Sequence, residues 1–290
     1  MGIEIKAHMI HLNGQPVPYI ATPNRSSGTM APDVLVFHDT AGRLEKGNSV
    51  SWLTNKRAKA SAHVVVERDG SIVQLAPLNV RCWHAGKSSF DGRPSVNNFG
   101  IGIEIVNPGK LTGNPDAKRA RAWFDEYYSV ADDALEYAST PAHGSGWWMN
   151  YSGAQIETLV GLACAIIEKY PGISSPHKMT THWYISPGRK VDTNPLFPLD
   201  RIRSRSFGRA SEQSSEGGVC VRALTDVNLR RWPSNHNNVI AIVPKGTPCE
   251  VLRSGIYADG FPEARWHLVE TTLDDVLQQG WVHSDYTVEV

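Results

Sequence analysis

Histidine and carboxylate side chains that could hold a metal ion occur at three places in the sequence. His182 and Asp192 lie ten positions apart, and Pro187 and Gly188 between them form a turn that could bring the two side chains together. His38 stands at the end of an apolar run, where side chains emerge at the edge of a sheet. Catalytic zinc takes imidazole and carboxylate ligands and leaves one position for water. The spacing therefore permits a zinc site, although surface residues joined by a loop would show the same spacing.

Glu104 and Lys190 are two further residues that could act beside such an ion. Glu104 lies in an isoleucine-rich stretch, and the alternation of side chains along a strand places it on the face opposite the isoleucines. Because burying an unpaired charge is costly, a carboxylate in this position is either a general base facing a site or a salt-bridged core residue. Lys190 precedes Asp192 by two residues and would therefore lie close to the metal ion.

The strands that must position these residues are predicted in the first half of the chain. Short apolar or alternating runs bounded by turn residues predict strands at 33–38, 63–67, 72–75 and 101–106. A hairpin turn at Asp69 and Gly70 joins the middle two. The predicted strands carry His38, His63 and Glu104.

Helices are predicted after the strands. Ser152 and Gln155 fit a capping box, and apolar residues recur at helical spacing until Pro171 ends the pattern. A second amphipathic stretch, at about 116–137, is also interpreted as a helix. Strands and helices in this order predict an α/β domain with a mixed central sheet flanked by helices.

Charge and composition exclude several classes of function. The 290 residues carry 29 Lys+Arg and 29 Asp+Glu, so the basic excess of a nucleic-acid binder is missing. No stretch approaches the roughly 18 consecutive apolar residues of a membrane span. The first ten residues lack the apolar region of a secretory signal. Four cysteines without a C-x-x-C pair predict free thiols rather than a metal site. We expect no nucleic-acid partner, no membrane span and synthesis in the cytoplasm.

A change in composition predicts two domains. Residues 201–218 are rich in Ser, Arg and Gly and nearly free of large apolar side chains, which is typical of a flexible linker. The linker separates a catalytic domain, 1–200, from a smaller domain, 219–290. The smaller domain contains short strands divided by turn residues, a pattern that predicts a small all-β barrel.

Taken in order, the motifs of the first domain resemble those of zinc-dependent N-acetylmuramoyl-L-alanine amidases. This is the type 2 amidase family, related to phage amidase lysozymes and peptidoglycan recognition proteins. The resemblance spans about residues 33–197. It is carried by ASAHVVV (60–66) with DG (69–70) and QL (74–75), WHAG (83–86), NFGIGIEIVN (98–107) and the segment TH…RKVD (181–192). Ordered motifs of this kind are far more specific than any one of them alone.

The resemblance implies a role for each candidate residue. One Zn²⁺ ion would be held by His38, His182 and Asp192. Glu104 matches the acid/base position, and Lys190 matches the lysine beside the metal. Within the same motifs we expect three residues to bind substrate, although each histidine taken alone is more typical of a structural role: His63, His84 and Asn107.

Two positions depart from the family pattern, and one segment is longer than a minimal member requires. Ala62 stands where other branches place a catalytic tyrosine, so Glu104 would have to serve. Thr193 and Asn194 replace the usual Pro-Gly after Asp192. The additional segment, 108–150, is either a lid that contacts substrate or a packed helical insertion, and we favour packing.

Four motifs of the second domain resemble those of a bacterial SH3-like barrel: VNLRRWPS (227–234), VPKGT (243–247), WHLV (266–269) and GWVHSDY (280–286). Such modules often accompany wall hydrolases and bind peptidoglycan; a spacer domain is the alternative. The sequence thus predicts a peptidoglycan hydrolase that cleaves the amide between N-acetylmuramic acid and L-alanine. Without a signal peptide it would be a phage or prophage endolysin that reaches the wall after release. Alternatives are a cytosolic muropeptide-recycling amidase, a secreted enzyme, a non-catalytic peptidoglycan-binding protein, and a glycosidase pairing Glu104 with Asp91 or Asp192.

Overall fold

The computed structural model describes residues 2–207, 220–230, 233, 239–258, 261–273 and 276–290. They divide into two compact units. The first comprises residues 2–137 and 145–207, and the second comprises residues 138–144 together with the described part of 220–290. In the part of the chain so described, no helix is both long enough and apolar enough to cross a membrane.

The described residues of the first unit form eleven strands up to and including the one that carries Glu104. In chain order they are β1 (Ile3–Lys6), β2 (Met9–Leu12), β3 (Gln15–Pro16), β4 (Arg25–Thr29), β5 (Val34–Asp39), β6 (Val64–Val66), β7 (Ile72–Gln74), β8 (Val80–Cys82), β9 (Ser89–Phe90), β10 (Arg93–Pro94) and β11 (Gly100–Ile105). The remaining strands of this half are β12 (Arg119–Arg121), β13 (Tyr127–Ser129), β14 (Leu135–Thr140), β15 (Gly144–Met149) and β16 (Met179–Thr181). The helices are α1 (Asn48–Leu53), α2 (Gly153–Lys169), α3 (His182–Ile185) and α4 (Leu199–Phe207).

The central sheet has the strand order β16-β5-β11-β6-β7. β16, β5, β11 and β6 run parallel, whereas β7 is antiparallel to β6 through the predicted hairpin. The predicted mixed sheet is therefore confirmed. In the register of β5 with β11, Glu104 lies opposite His38, and in that of β16 with β5, Thr181 lies opposite Phe37. His182 follows Thr181 directly, so the sheet brings three candidate residues to the carboxyl ends of adjacent parallel strands, where α/β proteins place their sites.

Helix α2 covers one face of this sheet. The predicted capping box is confirmed: Gln155 N donates to Ser152 Oγ at 3.0 Å, and Ser152 N donates to Gln155 Oε1 at 3.1 Å. The helix buries Leu159 and Ile166 against the isoleucines of β11 in one apolar cluster. Burial of one such side chain stabilises a fold by roughly 1.5–3 kcal/mol. This packing fixes β11, and with it the backbone that carries Glu104.

Two predictions of secondary structure were wrong. Residues 116–137 form no helix but the short strands β12 and β13 and the start of β14. Left-handed backbone at Asp125 (φ 66°) and Ala134 (φ 50°) interrupts any helix there. Residues 201–207 of the predicted linker belong to α4, which is held by the buried Ile202 and by Arg203, whose Nη2 donates to Met179 O at 2.6 Å. The rest of the predicted linker, 208–218, lies outside the described residues.

The second unit is built from strands, as the sequence predicted. They are β17 (Cys220–Ala223), β18 (Val227–Arg230), β19 (Val239–Val243), β20 (Pro248–Ala258), β21 (Phe261–Leu273), β22 (Val276–His283) and β23 (Thr287–Glu289). Their described residues form an antiparallel sheet in the order β19-β18-β22-β21-β20-β17-β23. Its core includes Val221, Leu229, Val243 and Val269. The four cysteines are free, and Cys82 and Cys249 are buried.

Candidate active site

The three predicted metal ligands converge on one point. His38 Nδ1 lies 2.9 Å from His182 Nδ1, His182 Nδ1 lies 2.9 Å from Asp192 Oδ2, and His38 Nδ1 lies 3.4 Å from the same oxygen. His38 ends β5, His182 follows β16, and Asp192 reaches the same place through the Pro187–Gly188 turn region. Both histidines are buried.

Neighbouring residues determine the protonation of His38. His38 Nε2 lies 3.0 Å from His84 Nδ1, and His84 Nε2 lies 3.0 Å from Gly100 O. A carbonyl only accepts, so a neutral His84 carries its proton on Nε2, and its Nδ1 accepts from His38 Nε2–H. Burial lowers the pKa of His38 to about 4 and that of His84 well below its usual value, so both rings are neutral. His38 Nδ1 therefore presents a lone pair to the cluster.

His182 is oriented by the carbonyl of Ala85. Its Nε2 lies 3.2 Å from Ala85 O, to which Arg189 Nη2 also donates at 2.7 Å. Arg189 is fixed in turn by Ser186 Oγ at 2.8 Å and by Lys87 O, which accepts from Nε at 3.2 Å. In the tautomer that donates from Nε2 to Ala85 O, His182 also presents the Nδ1 lone pair to the cluster. Although burial raises the pKa of Asp192, the adjacent imidazoles of His182 and His38 hold it well below the usual range.

Two imidazole lone pairs and a carboxylate oxygen facing one another would repel, because none of the three atoms has a proton to share. A cation between them removes the repulsion. Ligands bound to zinc at 2.0–2.1 Å in a tetrahedron lie about 3.3 Å apart, close to the observed 2.9–3.4 Å. The donor set fits zinc, and each histidine has the outer hydrogen bond that metal-bound histidines use.

Glu104 lies beside this cluster on β11. Its Oε2 is buried and has no hydrogen-bond partner among the described residues. Burial and the negative charges of Asp192 and Asp39 raise the pKa of Glu104 to about 8, and Lys190 opposes the rise. A carboxyl group that gains and loses a proton near neutral pH is suited to general acid–base work.

Two glycines of β11 make room for His84. Gly100, Gly102 and Glu104 share one face of the strand, and a Cβ at Gly102 would lie 2.5 Å from His84 Cγ. A Cβ at Gly100 would lie 3.3 Å from His84 Cε1. Only glycine lets the imidazole lie against the strand and reach His38. The alternation of glycine with isoleucine before Glu104 was the sequence signal for this packing.

The three residues predicted to bind substrate are buried and hydrogen-bonded within the protein. His63 accepts from Gly102 N at 3.0 Å through Nδ1, and its Nε2 lies 2.7 Å from Val80 O. His84 supports His38, and Asn107 Nδ2 donates to Met149 O at 3.1 Å. None of the three is more than 6% exposed. Direct contact with substrate stays a prediction for these residues, and the contacts in the structure show them supporting the backbone and the ligand His38.

A second network, which the sequence analysis missed, holds the loop that follows Asp192. Asp39 Oδ1 accepts from Tyr151 Oη at 2.6 Å, and Asp39 Oδ2 accepts from Asn194 N at 2.8 Å. Asn194 Nδ2 donates to Met149 O at 3.0 Å. Burial raises the pKa of Asp39 to about 7, against the hydrogen bond from Tyr151. Asn194, at a position that departs from the family pattern, therefore fixes the loop through its own contacts.

A cleft of about 200 Å³ opens beside the cluster. The β5 end and the 189–192 segment contribute Asp39, Ala41, Lys190 and Asp192, and the segment 108–150 contributes Gly109, Lys110 and Trp148. That segment also has a small core of its own, with Leu111, Tyr128 and Trp147. The favoured prediction of a packed helical insertion was thus wrong about the helix, because the segment forms strands. It packs around its own core, and it also forms one wall of the cleft.

Of the two carboxylates that the glycosidase alternative could pair with Glu104, Asp91 lies away from the cleft. Asp91 Oδ1 lies 2.8 Å from His177 Nε2, and Asp91 does not line the cleft. The other partner, Asp192, belongs to the ligand cluster.

Fold, cluster and neighbouring acid define a metallohydrolase-like site on a mixed sheet. The family model described as N-acetylmuramoyl-L-alanine amidase matches residues 28–195, more than half of the chain. The chain belongs to the N-acetylmuramoyl-L-alanine amidase family.

Similar proteins carry related names. The 1,6-anhydro-N-acetylmuramyl-L-alanine amidase AmpD of Citrobacter freundii is 34% identical over 146 residues, 50% of this chain and 57% of that protein. The N-acetylmuramoyl-L-alanine amidase AmiD of Escherichia coli is 30% identical over 182 residues, 60% of this chain and 53% of that protein. A solved structure of E. coli AmiD with anhydro-N-acetylmuramic acid-L-Ala-D-gamma-Glu-L-Lys is 27% identical with a TM-score of 0.45, covering 70% of this chain and 65% of that one. The chain spans less than two thirds of the length of these curated relatives.

Proposed function

We propose that this chain is a zinc-dependent hydrolase that cleaves the amide between N-acetylmuramic acid and L-alanine. The observation that supports the proposal is the set of three ligand atoms, from His38, His182 and Asp192, that lie within 4.8 Å of one another. Glu104 and Lys190 lie beside them, and the chain belongs to an amidase family. The substrate would be bacterial peptidoglycan or a muropeptide released from it.

In this proposal His38, His182 and Asp192 hold one Zn²⁺ ion. Bound zinc supplies Lewis acidity, which lowers the pKa of water from 15.7 toward about 7 and polarises a carbonyl group. His84 and the Ala85 carbonyl keep the two imidazoles in the tautomer that leaves Nδ1 free for the ion.

Glu104 moves the proton. Its carboxylate takes a proton from the attacking water and delivers it to the amide nitrogen, since an amine leaves poorly without one. The raised pKa of about 8 gives the carboxyl group enough proton affinity for both steps. The buried Oε2, with no partner among the described residues, is the atom placed to carry the proton.

Lys190 contributes positive charge to the cleft wall. We assign it to the negative charge that develops on the carbonyl oxygen during attack. Removing one such stabilising group lowers turnover by about 100- to 1,000-fold in comparable sites.

The test is digestion of purified peptidoglycan, followed by mass spectrometry of the new ends. New L-alanine amino termini that vanish with a chelator and return with zinc would support the proposal. New reducing sugars formed in the presence of a chelator would indicate a glycosidase. No cleavage by a protein with one bound zinc would refute hydrolysis and favour a binding protein.

Three variants separate the assigned roles. Glu104→Gln and Lys190→Ala should bind zinc and lose activity, whereas His182→Ala should lose both. Lys46→Ala is the matched control, because Lys46 is exposed and pairs with Asp69 on the surface. Loss of zinc from Lys190→Ala, or full activity of metal-free His182→Ala, would contradict the assignments.

The biological substrate remains part of the proposal. The name 1,6-anhydro-N-acetylmuramyl-L-alanine amidase, carried by relatives at 33–34% identity, supports a recycling amidase for soluble anhydromuropeptides over the expected endolysin. The antiparallel sheet of the second unit supports an SH3-like, wall-binding module, which would suit the endolysin. Comparison of kcat/KM on a soluble anhydromuropeptide and on intact sacculi, together with co-sedimentation of the full chain with sacculi, decides between the two roles.

A further inference from the structure

The turn between β12 and β13 carries an exposed indole held in a fixed position. The Trp123 side chain is 75% exposed, yet its Nε1 donates to Ala41 O at 2.7 Å. Its ring also meets Phe124 edge to face, with centroids 5.5 Å apart and planes at 85°. Leaving a large apolar ring in water forgoes the free energy that burial would supply. A ring that is exposed yet held in one position is suited to binding a ligand.

The anchor places Trp123 at the rim of the cleft. Ala41 lines the cleft and lies three residues after His38. Arg43, from the same loop, forms an ion pair with Glu126, and its guanidinium lies 5.2 Å from the centre of the Phe124 ring. These contacts tie the turn of the 108–150 segment to the loop that follows β5. The indole cannot swing away without breaking them.

Two ion pairs occupy charged groups close to the indole in the chain and in its anchoring loop. Arg43 pairs with Glu126, and Arg121 pairs with Asp125, so two basic groups of the turn and its neighbouring loop have acidic partners. A peptide carboxylate would gain little from such a surface. A sugar ring suits it better, because a pyranose offers a flat, uncharged face of C–H groups that can lie on an aromatic ring.

We propose that Trp123 is a stacking surface for a sugar ring of the substrate, so that the 108–150 segment recognises the glycan part. The inference rests on the proposed function, because it takes the substrate to join a sugar to a peptide. The cleft beside the ligand cluster would then hold the scissile amide, while the sugar extends over its rim onto the indole.

The first test compares two substrates with the same peptide: an N-acetylmuramoyl peptide, and a lactyl peptide that lacks the sugar ring. Trp123→Ala should lower kcat/KM on the sugar-bearing substrate by about 2- to 13-fold, the range of an aromatic stacking contact. The same variant should leave kcat/KM on the lactyl peptide unchanged, and Trp123→Phe should retain part of the effect. Trp52→Ala is the control, since Trp52 is 56% exposed on α1 and does not line the cleft.

The second test does not depend on cleavage. Peptide-free glycan fragments are titrated into metal-free protein while tryptophan fluorescence is recorded. Glycan binding that Trp123→Ala weakens and Trp52→Ala leaves intact would support the stacking surface. It would do so even if the chain cleaved no substrate, because a lack of cleavage would refute only the proposed function. Equal losses of kcat/KM on both substrates, or glycan binding unaffected by Trp123→Ala, would overturn the inference while leaving amidase activity established.

Discussion

Acid should destabilise this fold through His63, and replacement of that one residue should remove a measurable part of the effect. His63 is fully buried, and burial lowers its pKa from 6.5 to about 4. Its Nδ1 accepts from Gly102 N, so a proton on Nδ1 would face an N–H group and break the bond. The ring is neutral in the folded protein and gains a proton on unfolding below pH 6.5.

The size of the effect follows from proton linkage. Between pH 6.5 and about 4 the unfolded chain binds one more proton at His63 than the folded chain. The contribution of His63 to the free energy of unfolding is therefore fully present above pH 6.5 and is lost as pH decreases. A difference of about 2.5 in pKa corresponds to about 3 kcal/mol, nearly all lost by pH 4.

The assay is urea unfolding of wild-type protein and His63→Gln between pH 7.5 and 4.5, both with a chelator present. Gln can donate to Val80 O but leaves Gly102 N without its acceptor, so the variant should be about 1–3 kcal/mol less stable at pH 7.5. As pH falls to 4.5 the difference should move by about 2.5 kcal/mol in favour of the variant, because only wild type loses the His63 contribution. Other buried histidines occur in both proteins and cancel in the difference. A gap that stays constant with pH would refute the reasoning.

Three further outcomes are expected. Gly102→Ala should displace His84, since the added Cβ would lie 2.5 Å from the ring. The affinity for zinc, measured in competition with a chromophoric chelator, should fall about 10- to 100-fold. An unchanged affinity would contradict the supporting role of His84. Tyr151→Phe should lower the free energy of unfolding by about 1–3 kcal/mol in urea, because the carboxylate of Asp39 loses a buried donor; a neutral effect would count against the network. In metal-free protein the pKa of Glu104, raised from 4.5 to about 8, makes the folded state bind the extra proton, so wild type loses stability as pH rises through this range. Thermal unfolding should show Glu104→Gln gaining on wild type toward pH 8, and a pH-independent difference would contradict the raised pKa.

Local patterns in the sequence were enough to predict the central strand that carries His38 and the helix that covers the sheet. The apolar run ending at His38 and the capping box at Ser152 and Gln155 each depend on neighbours within a few residues, and each was found where predicted. The helix predicted at 116–137 was wrong, because its amphipathic spacing suits a helix while the backbone turns left-handed at Asp125 and Ala134. Nothing in helical periodicity reports such turns.

The candidate site was less visible in the sequence than the fold. Motif order pointed to the ligand cluster, but the buried roles of His63 and His84 depend on glycines about 40 and 20 residues away in the chain. The network of Asp39, Tyr151 and Asn194 joins three distant segments, and no spacing rule links them. Long-range hydrogen bonds of this kind emerge only when the sheet is assembled.

The base of the 108–150 segment is closed by a hydrogen bond from Asn107 Nδ2 to Met149 O. The two ends of the segment therefore leave and rejoin the domain at one point, while all three ligands lie outside it. Lengthening or exchanging the interior of such a closed loop adds little entropic cost. The wall of the cleft can thus diversify independently of the chemistry, and grafting a homologous 111–147 segment offers a route to altered substrate choice with the ligand cluster left intact.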